Sequence, residues 1–314
     1  MSTILFESPI FGPVISRRLG VSLGINLLPA SGKVCTFDCI YCECGLNRER
    51  KTDEKMPTVQ VVLEQLEACL IRMEQEGRLP DVITFAGNGE PTAHPHFAEI
   101  IDGVIALRNR LSPRAKVSVL SNGTQIHKPH IFNALMKVDN NILKLDTVDE
   151  DYIERVNRPS SYYRVAEQIE AFKRFNGRVM VQTMFMKGKD FLSRDVDNTS
   201  ERYVGPWIDA IKAIGPEKVM IYTIDRETPD KELQKAMPQE LDAIADFIII
   251  DTGAGISSNV MEMILSSTEV ILVATPEPTS ITDAYALLKT LRRHPDYKTD
   301  SLKIHVVGNR TQNN

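Results

Sequence analysis

Four of the chain's five cysteines lie between Cys35 and Cys44. Cys35-Thr36-Phe37-Asp38-Cys39-Ile40-Tyr41-Cys42 has the spacing C-x3-C-x2-C. Thiolates are soft ligands, suited to zinc or to iron–sulfur clusters. A structural zinc site normally takes four protein ligands, commonly two separated C-x2-C pairs with histidine permitted. The sequence holds no second pair and no H-x3-H partner. Three thiolates on one loop would leave a cubane cluster with one iron lacking a protein ligand, as useful chemically as the open position of a catalytic zinc. Cys44 could complete a closed set of four, but a single residue separates it from Cys42, which makes a second corner hard to reach. Packing beside the loop is its other reading. Cys69 stands apart in an amphipathic stretch and reads as a core residue.

The elements that must position this loop follow a repeating pattern. Leu19–Leu28 reads as a strand ended by Pro29, and the charged Asn47–Lys55 after the cysteines reads as exposed. Thr58 suits the N-cap of a helix over Val59–Gln75. Strand Asp81–Ala86 ends in the turn-rich Gly87-Asn88-Gly89-Glu90-Pro91-Thr92. Helix Phe97–Leu111 and strand Lys116–Leu120 follow, the strand stopping at Ser121-Asn122-Gly123. Helix Ile131–Met136, strand Ile142–Asp146, helix Tyr163–Phe175, strand Val179–Met186, helix Val204–Ile214, strand Lys218–Ile224 and helix Gln239–Ala245 complete the series. Such alternation predicts an α/β fold of parallel βαβ units. A barrel and an open doubly wound sheet both fit. Polar signatures placed after successive strand C-termini favour the barrel, whose active-site loops lie there.

Other polar groups have competing readings. Lys144 and Asp146 are two residues apart on a strand and share one face, where an ion pair must be used or satisfied; a structural salt bridge is the alternative. Gln182 adds a polar contact one strand on. Asn157-Arg158-Pro159 reads as a loop stop, and Arg17-Arg18 suit an anionic substrate. His94 and His96 read as helix-entry residues, because no carboxylate–histidine set completes a metal site nearby. The net charge of −5 gives no global attraction for nucleic acid. No secretory signal and no apolar run of about 18 residues is present, so the expected compartment is the cytoplasm, without a membrane span.

The C-x3-C-x-aromatic-C loop after a first strand resembles the cluster motif of the radical S-adenosylmethionine (SAM) superfamily. Phe11-Gly12-Pro13-Val14, Ser16-Arg17-Arg18-Leu19-Gly20 and Gly24-Ile25-Asn26 resemble a narrower group, the Fe–S oxidoreductases related to wybutosine-synthesis enzymes. Gly87-Asn88-Gly89-Glu90-Pro91 is similar to the superfamily's Gly-Gly-Glu-Pro segment. The resemblance covers roughly Phe6 to Asp246 and implies a partial (β/α)6 barrel. It also implies a [4Fe-4S] cluster on Cys35, Cys39 and Cys42, SAM on the open iron, an external flavodoxin- or ferredoxin-like electron donor, and a 5′-deoxyadenosyl radical acting on an unknown substrate. Under it, Gly87 and Gly89 bring backbone to the methionyl amino group, Asn88 belongs to the same cofactor-binding segment, and Glu90 fixes that group or its own loop. Tyr41 lies against adenine or positions its own backbone there, Ser121 and Asn122 meet a carboxylate, and Lys144 and Asp146 join the cofactor site. A role on tRNA is not indicated, because the extra cluster of those relatives draws on upstream cysteines and none precedes Cys35.

After Asp246 the character changes, which divides the chain into a radical SAM domain at 1–246 and a second segment at 247–314. The buried-strand pattern Phe247–Gly255, a helix around Asn259–Leu265, strand Val270–Ala274, helix Thr282–Arg293 and strand Ser301–Val307 make a βαβαβ fragment. It resembles the later half of a MinD/ParA-type, flagellum-placing ATPase with a P-loop sheet, Asp251 matching the Walker B aspartate and Asn309-Arg310 the base-contacting pair. The phosphate-binding G-x4-G-K-[ST] is absent, since Gly32-Lys33 and Gly188-Lys189 lack its other residues. Without it no magnesium–nucleotide is cradled, and ATPase activity is not expected. The seam has no Gly/Ser/Pro linker, as a fusion of unrelated pieces would leave it. The competing readings are a metal-stabilised binding module without catalysis and a nucleotide-binding regulatory fusion.

Overall fold

The computed structural model describes residues 5–16, 20–244, 261, 264–265, 269–274, 277–294, 297 and 302–308. Arg17-Arg18, the seam at 245–247, Asp251 and Asn309-Arg310 lie outside them. The chain divides into two compact units, Met1–Phe247 and Ile248–Asn314.

In the first unit, β1 (Ile10–Ser16) and β2 (Gly20–Ile25) form an antiparallel hairpin, with Phe11 paired to Gly24. The sequence reading gave a single strand over Leu19–Leu28. Gly12 and Pro13 argue against a strand by propensity, yet β1 ends one side of its sheet, where proline is tolerated. Phe11 uses the hairpin: its ring fills the place a Cβ on Gly24 would take.

Helix α1 (Val59–Gln75) starts where Thr58 accepts from Val61 N, and it buries Val62, Leu66, Cys69, Leu70 and Met73 along one face. Each buried leucine there contributes about 1.5–3 kcal/mol by leaving water. Strand β3 (Val82–Phe85), α2 (Phe97–Leu111), β4 (Lys116–Ser121), α3 (Pro129–Leu135) and β5 (Asn140–Lys144) continue the alternation. After two helical turns at Glu150–Tyr152 and Ile153–Asn157 come α4 (Val165–Lys173), β6 (Met180–Met184), β7 (Met186–Gly188), α5 (Glu201–Ile214), β8 (Lys218–Tyr222), β9 (Leu233–Lys235) and α6 (Pro238–Ile244).

The main sheet runs β1-β2-β3-β4-β5-β6-β8, and every pair from β2 onward is parallel. Neighbours follow chain order with no reversal. A doubly wound sheet would reverse at a switch point; right-handed crossovers in unbroken order instead keep the helices on one side, as in a partial (β/α)6 barrel. Leu23, Ile25, Ile83, Phe85, Val117, Val119, Leu143 and Val181 join the helices in one core. Several residues of the other phase are small and polar: Ser22 meets Thr84 at 2.9 Å, and Asn140 donates to Ser118 at 2.7 Å. Strands β7 and β9 form a separate antiparallel pair.

In the second unit, β10 (Glu269–Ala274) and β11 (Lys303–Gly308) pair in parallel, joined by α7 (Pro278–Arg292). Met261, Ile264, Leu291 and Leu302 form its buried cluster. This is a single βαβ unit; the earlier strand of the expected fragment falls outside the described residues. No described helix is long and apolar enough to cross a membrane.

Candidate active site around the cysteine loop

The cysteine loop follows β2 and is fastened on two sides. On one side Val34 N donates to Asn88 O at 3.0 Å and Glu90 N to Val34 O at 2.9 Å. This contact explains two glycines. Gly87 and Gly89 have φ of +141° and +133°, and a Cβ would strike the Asn26 side chain at the first and the Val34 carbonyl at the second. On the other side Asp38 N donates to Asn157 O at 2.9 Å, Ile40 N to Val156 O at 3.0 Å, and Ser160 N to Thr36 O at 2.8 Å. The Asn157-Arg158-Pro159 stretch is therefore a clamp on the loop.

Glu90 organises the first side. Buried, it accepts from Thr92 N (3.0 Å), Thr92 Oγ1 (2.6 Å), Ser121 Oγ (2.8 Å) and Asn122 N (2.7 Å). Burial pushes its carboxyl above the ordinary range, against the pull of these hydrogen bonds. The carboxylate that Ser121 and Asn122 meet is thus the protein's own, and Glu90 ties the loop after β3 to the end of β4. Asn88 has no amide group left over for a cofactor: it accepts from Phe6 N at 2.8 Å and donates to Phe6 O and Pro29 O at 3.0 and 2.8 Å.

Asp146 organises the second side. One carboxylate oxygen accepts from Met184 N at 2.9 Å; the other accepts from Tyr41 Oη and, at 2.7 Å, from Asn157 Nδ2. Lys144 Nζ lies 3.6 Å from Asp146 and donates to Tyr41 Oη at 3.1 Å and Tyr222 Oη at 2.9 Å. Burial works against the lysine's charge, but Asp146, Tyr222 and Cys39 outweigh it and hold Lys144 protonated. Tyr41 is locked into this network, with the ammonium 5.1 Å from its ring centre. Asp146 stands beyond the end of β5, so the pair shares a strand face less directly than the alternation implied. Gln182 pairs with Lys144 in the register of β5 and β6.

The sulfurs differ. Burial raises the Cys39 thiol to about 11 and carries Cys35 higher still, with Glu90 adding to the effect on Cys35. A hydrogen bond from Cys44 lowers Cys42 to about 6. The Cys44 thiol also contacts Gly87 O at 3.4 Å, and this coupling raises its own pKa. Beneath them lies buried Lys33, which sequence reasoning passed over. Its Nζ donates to Gly45 O at 2.7 Å and sits 3.8 Å from Asp38. Burial opposes its charge, but Cys42, Cys35, Cys39 and Asp38 prevail and keep it a cation.

Comparison with known proteins fits this geometry. Residues 31–201 match the model of the radical SAM superfamily. The chain belongs to the radical SAM superfamily. It is 32% identical over 225 residues to a UPF0026 protein of Helicobacter pylori, covering 71% of this chain and 68% of that protein. Its radical SAM fold is like that of a solved structure of TYW1 with a lysine-pyruvate adduct bound, at a TM-score of 0.50, 15% identity and 71% coverage of each chain. A short segment is 52% identical over 48 residues to the antiactivator FleN of Pseudomonas aeruginosa, spanning 15% of this chain and 17% of FleN.

The structure thus gathers Cys35, Cys39, Cys42, Tyr41, Glu90, Ser121, Asn122, Lys144 and Asp146 about one loop. Sequence reasoning missed Lys33, Asn157 as a side chain, and Tyr222. For Asn157 and Tyr222 the signal is weak in sequence, since their partners lie far away in the chain, whereas Lys33 acts within its own loop. His94 is not aimed at a metal: Nε2 faces Pro57 O at 3.0 Å, and Nδ1 accepts from His96 N at 3.1 Å. Cys69 is buried on α1.

Proposed function

We propose that the Met1–Phe247 unit holds a [4Fe-4S] cluster through Cys35, Cys39 and Cys42 and binds SAM at the iron without a protein ligand. The reading is supported above all by the placement of Cys35, Cys39 and Cys42 on one loop clamped from both sides, inside the segment that matches the radical SAM superfamily model. Cubane ligands bind separate irons of the cluster. Cys44 Sγ faces Gly87 O at 3.4 Å, and in this reading the fourth corner is left to the cosubstrate. When bound, the reduced cluster supplies the electron that cleaves SAM to a 5′-deoxyadenosyl radical, which takes hydrogen from a substrate.

The chain's own groups have defined tasks in this reading. Lys33 offsets the negative charge of the thiolates from below. Glu90 and Asp146 hold the flanking loops, which screen the site from water. Electrons come from an external flavodoxin- or ferredoxin-like donor. The TYW1 structure carries a lysine–pyruvate adduct, but a nucleophilic amine needs a lowered pKa and Lys144 is held protonated. Lys144 accordingly serves as a fixed cation bracing Tyr41 and Tyr222.

Anaerobic iron–sulfide reconstitution of the full chain tests the reading. The expected product is brown, and with dithionite and SAM it forms 5′-deoxyadenosine. Cys35→Ala, Cys39→Ala and Cys42→Ala each reduce that product to background, whereas Cys44→Ala retains it. A colourless protein with stoichiometric zinc, or loss of product on Cys44→Ala alone, overturns it.

A further inference from the structure

Two asparagines reach the cysteine sulfurs from opposite sides. Asn122 Nδ2, after β4, lies 3.7 Å from Cys35 Sγ and 2.8 Å from Thr36 Oγ1. Asn157 Nδ2, after β5, lies 3.6 Å from Cys39 Sγ, 2.9 Å from Tyr41 Oη and 2.7 Å from Asp146 Oδ2.

Which end of each amide faces sulfur is fixed by other partners. Asn122 Oδ1 accepts from Thr124 N at 3.1 Å and Thr124 Oγ1 at 2.8 Å, so its nitrogen must point the other way. Asn157 meets the Asp146 carboxylate, which only accepts; nitrogen, not oxygen, must face it. Asn157 is fully buried and Asn122 nearly so. Both amides are therefore aimed before any cluster is present. The third sulfur, Cys42, has different neighbours, the Cys44 thiol and Lys33.

We infer that Asn122 and Asn157 set the reduction potential of the cluster, each by donating an amide N–H to one ligand sulfur. The inference rests on the proposed cluster site and gives two residues beside its sulfurs a positioning role. A donor to a thiolate sulfur withdraws electron density and stabilises the extra negative charge of the reduced cluster, which raises the potential. Burial strengthens the effect, because little water competes for the sulfur. Asn157 shares its amide with Asp146 and Tyr41, so the Lys144–Asp146–Tyr41 network bears on Cys39 through one side chain. Asn122 is joined in the same way to the Glu90 side through its backbone N–H.

The test is a potentiometric titration of the anaerobically reconstituted full chain, followed by the EPR signal of the reduced cluster. Asn122→Ala and Asn157→Leu each shift the midpoint to more negative values at unchanged iron content, and the two shifts add in the double variant. Midpoints equal to wild type in both variants overturn the inference. Should Asn157→Leu fail to fold, Asn122→Ala decides the matter, since its backbone N–H to Glu90 survives the change. Wild-type chain that builds a cluster but does not cleave SAM overturns the proposed function and leaves the midpoint comparison to judge this inference. Wild-type chain that builds no cluster overturns both.

Discussion

The two sides of the cysteine loop bury one carboxylate each and treat it differently. Glu90 is surrounded by neutral donors, two hydroxyls and two backbone N–H groups, with no cation among its hydrogen-bond partners. Asp146 receives Tyr41, Asn157 and a backbone N–H, and has Lys144 at 3.6 Å as well. A buried carboxylate can thus be satisfied by geometry alone or by geometry plus countercharge. The first arrangement locks two loops together and asks nothing of the charge nearby. The second holds a positive charge beside Cys39, a ligand of the proposed cluster, and that charge must stay balanced.

Substitution should separate the two. Asp146→Asn keeps the shape but leaves Lys144 without its countercharge, in a pair whose side chains are 1% and 18% exposed. A loss of about 3–5 kcal/mol in urea unfolding is expected; a loss under about 1 kcal/mol would show that the phenols alone suffice for Lys144. Gly89→Ala attacks the other side through its backbone, placing a Cβ against the Val34 carbonyl at a φ of +133°. About 3 kcal/mol is expected, with loosening of the loop visible as faster amide exchange at Val34 and Glu90. Glu90→Gln turns one acceptor oxygen into a donor facing donors, at a cost of about 1–3 kcal/mol. If Glu90→Gln proves more costly than Asp146→Asn, the distinction between the two sides is wrong.

Much of the fold was legible in the sequence because local signals agreed. Val59–Gln75 and Phe97–Leu111 were read to the residue, since apolar spacing and flanking residues bounded them. The strand read as Ile142–Asp146 begins instead at Asn140, because two asparagines with poor strand propensity open it. The three-residue strands β7 and β9 carry no period to detect. In the site, the spacing of the cysteines announced the radical SAM family. The glycines at 87 and 89 announced close backbone approach, but not that Asn26 and Val34 were what approached. Asn157 gave no sign of its role, since its sulfur partner lies 118 positions away. Pairings of that kind follow from strand order, which no local pattern encodes.

A pH experiment gives the smallest effect and probes the Glu90 side alone. His94 follows the turn at Pro91–Ala93, and burial lowers its pKa below the ordinary 6.5. Its contact with Pro57 O requires an N–H on Nε2, and its contact with His96 N requires a bare Nδ1, so the fold selects the neutral ring. The unfolded chain binds the proton more readily. The stability His94 contributes is therefore complete above pH 6.5 and is lost as pH falls through its lower folded value. Glu90 carries the opposite sign. Its raised folded pKa means that the folded state takes up a proton first, so its contribution grows on acidification and is lost as pH rises through the folded value. Urea unfolding at pH 7.5 and 5.5 should show a decrement in wild type that is reduced in His94→Gln. Equal decrements in both proteins would mean that acid sensitivity arises away from His94.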